Sequence, residues 1–308
     1  MKQSLNNKAY NSYDNIDKNF LHDINGELFY FNPSWKKVGV NLSGGADSAC
    51  GLAILCKLIT ELNCNTEIVV ISHVRGWINR PWQRYIFVDV FNKIKSMYPN
   101  VSMQQIKSFI PPELEAGSLG KIDKLNAFGD VVIVSSFNIF ATSEYKLEAV
   151  YNFTTLNPVK EDLKNYITEN TKSVNDWMNT SDRVWSEDKL DTWISTRKYP
   201  PQYQLSIQKF SHLYNKTSER IFPWLLVKKD FVLNQFYKNG WEDLLNTTRS
   251  CEGDYSNLYD SQSNEIIPTY IHKETKLITC TEKNLDNPCF WCVERQWAKE
   301  SVKKDNDK

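Results

Sequence analysis

Residues 38–48, which read Val-Gly-Val-Asn-Leu-Ser-Gly-Gly-Ala-Asp-Ser, constrain the fold of this chain more than any other stretch. The apolar run at 38–42 predicts a short buried strand. Two glycines follow it, and glycine permits both a tight turn and a close approach of backbone to a ligand. From Asp47 onward apolar residues recur at helical spacing, so a helix begins there. Strand, glycine turn and helix N-terminus together predict an anion site, because free N–H groups and the positive helix end face one point.

Strands and helices continue to alternate after this turn. Strands are predicted at 67–74, 101–110 and 130–135, and helices at 82–97 and near 120–128. This alternation predicts an α/β fold with a doubly wound parallel sheet, in which ligands bind at the carboxyl ends of the strands. The residues that follow the predicted strands should therefore surround one crevice, namely 43–48, 73–77 and 135–138.

The chain divides into three predicted parts. Residues 1–36 are an N-terminal extension with an edge strand at 28–31 that may hairpin onto the strand at Val38. Residues 37–245 form the α/β domain, with a mainly helical insertion at about 140–220 and later helices at 229–237 and 241–245. Residues 246–308 form a small C-terminal segment that contains four of the seven cysteines.

Charge and hydropathy narrow the class of ligand. Lys and Arg together number 37, as do Asp and Glu, so the net charge is zero. A neutral chain offers no broad basic field for long nucleic acid and favours a small-molecule substrate, although RNA or DNA as a transient substrate stays open. No apolar run reaches the ~18 residues of a membrane span, and the first residues are polar. We therefore expect a cytoplasmic protein with reduced thiols and no membrane partner.

The cysteines fall into two groups. Those in or just after the predicted helix at residue 47 are small core residues: Cys50, Cys56 and Cys64. The others lie in the last fifth of the chain: Cys251, Cys280, Cys289 and Cys292. The spacing Cys289-Phe-Trp-Cys292 presents two thiolates to one tetrahedral ion, and four such thiolates predict a closed structural Zn²⁺ site. A redox pair, or unrelated thiols, is the alternative reading.

The loop Ser43-Gly-Gly-Ala-Asp-Ser48 resembles the pyrophosphate loop of the ATP pyrophosphatase (PP-loop) superfamily, whose fold is adenine nucleotide alpha hydrolase-like and Rossmann-like. Three later segments extend the resemblance: residues 223–230, Thr248-Arg-Ser-Cys251 and Cys289-Phe-Trp-Cys-Val-Glu-Arg295. Loop and cysteine cluster together look like the 7-cyano-7-deazaguanine synthase family of queuosine biosynthesis, of which this chain would be a divergent member.

The resemblance implies an ATP-dependent C–N ligase. Such an enzyme adenylates the carboxylate of 7-carboxy-7-deazaguanine or an analogue, releases pyrophosphate and AMP, and uses ammonia or another amine to form an amide and then a nitrile. The implied catalytic residues are Asp47, Ser48 and Lys228, with Mg²⁺ placed by Asp47 through water. The implied ATP-binding residues are Ser43, Gly44, Gly45, Asp47, Ser48, Ser72 and His73.

The segment that would bind the substrate departs from the family pattern. Where the family has Tyr-Gly-Gln-Arg-His after its second strand, this chain has His73-Val-Arg-Gly-Trp77. The candidate substrate residues are Arg75, Arg84 and Asn138.

Several alternatives follow from these departures. The activated deazaguanine may be joined to a protein or nucleic-acid acceptor in a phage-defence or modification system. A non-catalytic, zinc-stabilised scaffold is a further alternative, and the segment at 140–220 may form a homodimer contact. A tRNA-thiolating enzyme is disfavoured, because the chain is neutral and its cysteines cluster late.

The cysteine cluster gives a first prediction. The purified protein should contain about one zinc ion per chain, because four thiolates complete one tetrahedral shell. Cys292→Ser should lose the metal and lower the free energy of unfolding, since binding at such a site contributes to folding. Metal analysis for zinc, with denaturant unfolding, measures both. A native protein without zinc, or full zinc retention in the variant, would contradict the prediction.

Overall fold

The computed structural model describes residues 17–74, 83–109, 129–155, 158, 160–163, 205–210, 216–224, 227–250 and 290–306. After a 3-10 turn at Lys18–Phe20, its strands are β1 (Leu21–Ile24), β2 (Glu27–Tyr30), β3 (Lys37–Asn41), β4 (Glu67–Val74), β5 (Met103–Phe109), β6 (Ala149–Tyr151), β7 (Leu205–Phe210) and β8 (Lys216–Ile221). Its helices are α1 (Ala46–Glu61), α2 (Gln83–Met97), α3 (Gly129–Glu144), α4 (Lys160–Leu163), α5 (Lys229–Lys238), α6 (Glu242–Thr247) and α7 (Phe290–Asn306).

Six strands form one sheet in the order β5-β4-β3-β6-β8-β7. The first five are parallel to their neighbours, and β7 pairs antiparallel with β8 at the edge. Successive side chains of β4 point to opposite faces of the sheet. Ile68 and Val70 pack with α1 and α2 on one face, whereas Val69 and Ile71 pack with Ala141 of α3 on the other. Helices thus cover both faces, which explains the continuous apolar run of β4. The α/β fold with a doubly wound parallel sheet is confirmed.

The order of the strands fixes where a ligand would bind. Starting from β3, the chain first adds β4 and β5 on one side and then β6 and β8 on the other. The order reverses between β3 and β6, and in open parallel sheets the binding crevice lies at the carboxyl ends of the strands at such a point. The glycine turn at residues 43–45 directly follows β3, so it lies at this crevice.

The fourth parallel strand differs from the prediction. Residues 130–135 belong to helix α3, and the fourth strand is β6, which has three residues. A short apolar run fits a buried helix as well as a buried strand, and only the 16-residue length of α3 decides between them.

The predicted helical insertion at 140–220 also needs correction. The strands β6, β7 and β8 lie within that range, and β8 extends the parallel sheet. The helix predicted near 120–128 and residues 164–204 of the insertion lie outside the described residues.

The edge strand at 28–31 is present as β2, but it pairs with β1 instead of with β3. Asn25 and Gly26 connect β1 and β2, and both have positive φ angles, 53° and 90°. An Asn-Gly pair between two strands favours a tight hairpin turn, so this pairing was readable in the sequence.

The helices predicted at 82–97, 229–237 and 241–245 are confirmed as α2, α5 and α6. Cys50 and Cys56 are fully buried in α1, as expected of core residues, and Cys64 is partly buried. None of the helices within the described ranges is long and apolar enough to cross a membrane.

Gly51 gives a prediction about stability. A Cβ added there would lie 2.3 Å from ring atoms of Phe153, which packs on Trp224 at a centroid distance of 4.8 Å. Replacing a glycine inside a helix by alanine ordinarily stabilises by about 0.5–1 kcal/mol. Here Gly51→Ala should instead lower the free energy of unfolding by about 1–3 kcal/mol, because the ring must shift.

Denaturant unfolding measures this effect, and Phe153→Leu provides the control. In the Phe153→Leu background Gly51→Ala should be neutral or stabilising, because the smaller side chain leaves room for the methyl group. An equal loss in both backgrounds would show that contact with the ring is not the cause.

Candidate functional site

The glycine loop between β3 and α1 has a conformation that only glycine adopts easily. Gly44 has a φ angle of 83°, and a Cβ at this position would lie 3.0 Å from the backbone nitrogen of Phe87 in α2. Ser48 holds the loop closed: its Oγ accepts from the Ser43 N–H at 3.2 Å and donates to the Gly45 carbonyl at 3.2 Å. The loop is therefore rigid before any ligand arrives.

The N-terminus of α1 opens at this loop. Gly45 is the N-cap residue, and no side chain caps the helix. The first-turn N–H groups of a helix have no intrahelical partner, so they remain available to an anion at the positive end of the helix dipole. Ala46, Asp47 and Ser48 carry those groups.

Asp47 joins a buried ion-pair network. Its Oδ2 accepts from Nζ of Lys229 at 2.5 Å, and the same Nζ lies 3.6 Å from Oε2 of Glu294. Lys229 and Glu294 are 4% and 1% exposed, so the two charges are largely removed from water. Asp47 Oδ1 is buried, and within the described part of the chain it has no hydrogen-bond partner. One carboxylate oxygen thus remains to be satisfied.

The neighbouring charges control ionisation in this network. Burial by itself lowers the pKa of the Lys229 ammonium, but the carboxylates of Asp47 and Glu294 more than offset that, and its pKa is raised. The pKa of the Cys50 thiol is raised well above its usual value by burial and then by Asp47. Lys229 is therefore a permanent cation here, and Cys50 is not a nucleophile.

Two late segments of the chain pack on the glycine loop. The backbone N–H of Arg249 donates to the Gly44 carbonyl at 3.0 Å. Arg295 of α7 in turn donates to the Thr248 carbonyl at 3.2 Å and to its Oγ1 at 3.0 Å. The glycine loop therefore meets residues 248–249, about 200 residues later in the chain, and these in turn contact α7.

A cavity of about 350 Å³ lies at this meeting point. Glycine-loop residues, the ends of β3 and β4, the segment after β6, α5 and α7 all line it. Its lining residues are Asn41, Leu42, Ser43, Gly45, Asp47, Ser48, His73, Gln83, Val134, Asn152, Phe153, Thr154, Thr155, Lys229, Arg249, Ser250 and Trp291. This volume suits a small molecule or one part of a nucleotide.

The structure brings most of the predicted ATP-binding residues together. Ser43, Gly45, Asp47, Ser48 and His73 line the cavity, and Gly44 shapes the turn between them. Ser72 is fully buried and does not line it; its Oγ accepts from Gln105 Nε2 at 3.3 Å. Adjacent residues of a strand face opposite sides of the sheet, so His73 and Ser72 cannot both face one cavity.

Lys228 does not reach the cavity. Its Nζ pairs with Asp162 at 2.6 Å and is partly exposed, whereas Lys229, one residue later, contacts Asp47. Asn138 lies inside α3, is 4% exposed and is not among the lining residues.

The remaining predicted site residues are not all described. Arg75 lies outside the described residues, as do Cys251, Cys280 and Cys289 of the predicted zinc site. Arg84 lies in α2, but its side chain is not described. Cys292 is buried in the first turn of α7. The zinc prediction therefore stays a prediction.

Several lining residues were not identified from the sequence. Gln83 is 4% exposed, and its Nε2 donates to the Ser43 carbonyl at 3.3 Å. Asn41, Asn152 and Lys229 also line the cavity and were not predicted, nor was Glu294, which pairs with Lys229. Polar residues at 41 and 152, each at or just after the end of a strand, were the available signal, because ligands of parallel sheets bind there.

Comparisons with known proteins add the following. No family model matches the chain, and no curated protein matches it. Among solved structures it is similar to the U34-tRNA thiolase NcsA from Methanococcus maripaludis with its [4Fe-4S] cluster. The two chains are 14% identical, the TM-score is 0.41, and the match covers 98% of this chain and 81% of that one. A likeness at this level bears on neither substrate nor cofactor.

The two adjacent lysines give a matched prediction. Lys229→Met leaves the buried carboxylates of Asp47 and Glu294 without their cation and should lower the free energy of unfolding by about 3–5 kcal/mol. Lys228→Met breaks a partly exposed pair and should cost at most about 1 kcal/mol. Denaturant unfolding of both variants measures the difference. Equal losses would place both lysines in similar surroundings and contradict the ion-pair network.

Proposed function

We propose that this protein is an ATP-using enzyme that adenylates a carboxylate and releases pyrophosphate. The observation that carries the proposal is the glycine loop at the N-terminus of α1, placed at the switch point of a parallel sheet beside the Asp47–Lys229 pair. Helix N-terminal N–H groups and a buried lysine are the donors that a polyphosphate needs.

The loop fits a triphosphate. A left-handed Gly44 and an uncapped helix start leave backbone N–H groups facing the cavity without side chains in between. Asp47 fits a Mg²⁺ ion, because carboxylate oxygen is a preferred ligand and its Oδ1 is unpartnered within the described residues. Mg²⁺ would neutralise phosphate charge when bound. Lys229, fixed by two carboxylates, would supply a second positive charge at a defined position.

Catalysis in this proposal is positioning and electrostatic stabilisation. The first turn of α1 holds the phosphates, and the rigid hydroxyls of Ser43 and Ser48 keep the loop from rearranging. Negative charge grows on the departing pyrophosphate, and the N–H groups of the first turn of α1, with Lys229 beside Asp47, would stabilise it. Because these hydrogen-bond donors are already oriented, they need little reorganisation as the transition state forms, and this lowers the activation barrier.

The substrate and the reaction that follows come from the sequence resemblance. We infer 7-carboxy-7-deazaguanine, or a close analogue, as the acid and ammonia as the amine, giving a C–N ligase of the 7-cyano-7-deazaguanine synthase type. Of the segments that resemble that family, one packs on the loop through Arg249, and α7 packs on that segment through Arg295, which supports a common role for them. A structural Zn²⁺ held by Cys251, Cys280, Cys289 and Cys292 is part of the proposal.

A turnover assay tests the proposal. Incubation with Mg·ATP, 7-carboxy-7-deazaguanine and ammonia should release AMP and pyrophosphate in step with loss of the acid. Asp47→Asn should reduce the rate at least about 100-fold, because it removes a charge that holds both Mg²⁺ and Lys229. Chromatography of the nucleotides and a pyrophosphate assay give the readout.

Lys228→Ala is the matched control and should keep most of the activity, while Lys229→Ala should lose it. No pyrophosphate release by the native protein would overturn the proposed reaction. Pyrophosphate release that depends on the acid but not on ammonia would support adenylation of the acid. It would also indicate that the acceptor is a molecule other than ammonia.

A further inference from the structure

A row of hydrogen bonds crosses four parallel strands at the cavity. Ser108 of β5 contacts His73 of β4, with Oγ and Nδ1 2.7 Å apart. His73 Nε2 lies 3.2 Å from Asn41 Oδ1 at the end of β3, and Asn41 Nδ2 donates to Asn152 Oδ1, just after β6, at 2.7 Å. We call these four residues the amide row. Three of them, His73, Asn41 and Asn152, line the cavity.

The orientation of the Asn41 amide sets the other directions in the amide row. Asn41 donates through Nδ2 to Asn152, and its Oδ1 then accepts from Nε2 in the tautomer of His73 that carries the proton there. In the neutral imidazole Nδ1 is then the acceptor for the Ser108 hydroxyl. Both amide oxygens of the row already accept one hydrogen bond, and each asparagine retains N–H for a ligand. Within the described residues, Asn152 Nδ2 makes no hydrogen bond.

Strand structure alone does not call for these residues. Asparagine is disfavoured in strands, and the three residues before Asn41 in β3, Val-Gly-Val, are buried. An apolar residue at 41 would continue the core, whereas an amide must find partners or lose free energy on burial. The amide row satisfies these polar groups by orienting them, and it does so beside the glycine loop, two residues before Ser43.

We propose that the amide row binds the carboxylate of the substrate acid through the amide N–H groups of Asn152 and Asn41. A carboxylate only accepts hydrogen bonds, which matches the N–H groups that the two amides have left to donate. This inference rests on the proposed function and names the subsite for the acid. It places the carboxylate next to the loop that holds the phosphates.

Neutral donors suit the chemistry of the step. One carboxylate oxygen attacks the α-phosphorus of ATP, an O–P bond forms, and the bond from that phosphorus to the bridging oxygen breaks. Pyrophosphate leaves with the electron pair, and no proton moves. An arginine would bind the acid more tightly but would stabilise the charge that has to attack. Amide N–H groups orient the carboxylate while leaving its negative charge largely on the oxygens.

Binding of two matched ligands tests the subsite. Calorimetry would compare 7-carboxy-7-deazaguanine with its carboxamide on the native protein, on Asn152→Asp and on Asn152→Ala. Asn152→Asp places an acceptor where the amide N–H was, so affinity for the acid should fall about 30-fold or more. Affinity for the carboxamide should fall less than about 5-fold, because its own NH₂ can donate to the new carboxylate. Asn152→Ala should lower the affinity for the acid about 10-fold.

Asn92→Asp is the control for the change in charge, since Asn92 is exposed on α2, and it should alter neither affinity. Equal weakening of acid and carboxamide by Asn152→Asp would make the row purely structural and overturn the inference. The inference would also be overturned if Asn152→Ala bound the acid as tightly as the native protein does. The same holds if the native protein bound Mg·ATP but not the acid. A native protein that does not bind Mg·ATP would overturn the proposed function itself, which separates the two failures.

Discussion

The ion-pair network of Asp47, Lys229 and Glu294 is the interaction on which the rest of the site depends. Lys229 begins α5, Asp47 lies in the first turn of α1 and Glu294 lies in α7, so one buried ammonium ties three helices together. A buried cation is costly unless it is paired, and here it is paired on two sides. The same network therefore fixes the helix that carries the glycine loop and leaves a lysine beside the place where phosphates would bind.

The cavity has two chemically different walls. On one side the glycine loop and Lys229 offer backbone N–H groups and a positive charge, which suit a polyphosphate. On the other the amide row offers neutral N–H donors at the ends of β3 and β6. The walls touch because Asn41 and Ser43 are two residues apart. A reaction between an acid and the α-phosphorus of ATP needs such a junction, since its two reactants must meet at one point.

Much of the fold was predictable because its signals are local. Strand β3, the glycine turn and the start of α1 are encoded within eleven residues, and the spacing of apolar residues marks α1, α2 and α5. Residues 130–135 were misassigned because an apolar run fits a strand or a helix equally well. The sequence does not distinguish Lys228 from Lys229 for a related reason: the two are adjacent, and only the orientation of α5 decides which one faces Asp47.

The sequence by itself determined that a glycine turn and an uncapped helix N-terminus follow β3, since both depend on residues only a few positions apart. Only the tertiary structure decided what surrounds that turn. Asn41 meets Asn152 across 111 residues, Asp47 meets Lys229 across 182, and Arg295 meets Thr248 across 47. Such contacts depend on the order of strands in the sheet and on the rotation of each helix about its axis. A local pattern of residue types specifies neither of these, so the partners of the loop became visible only in the folded chain.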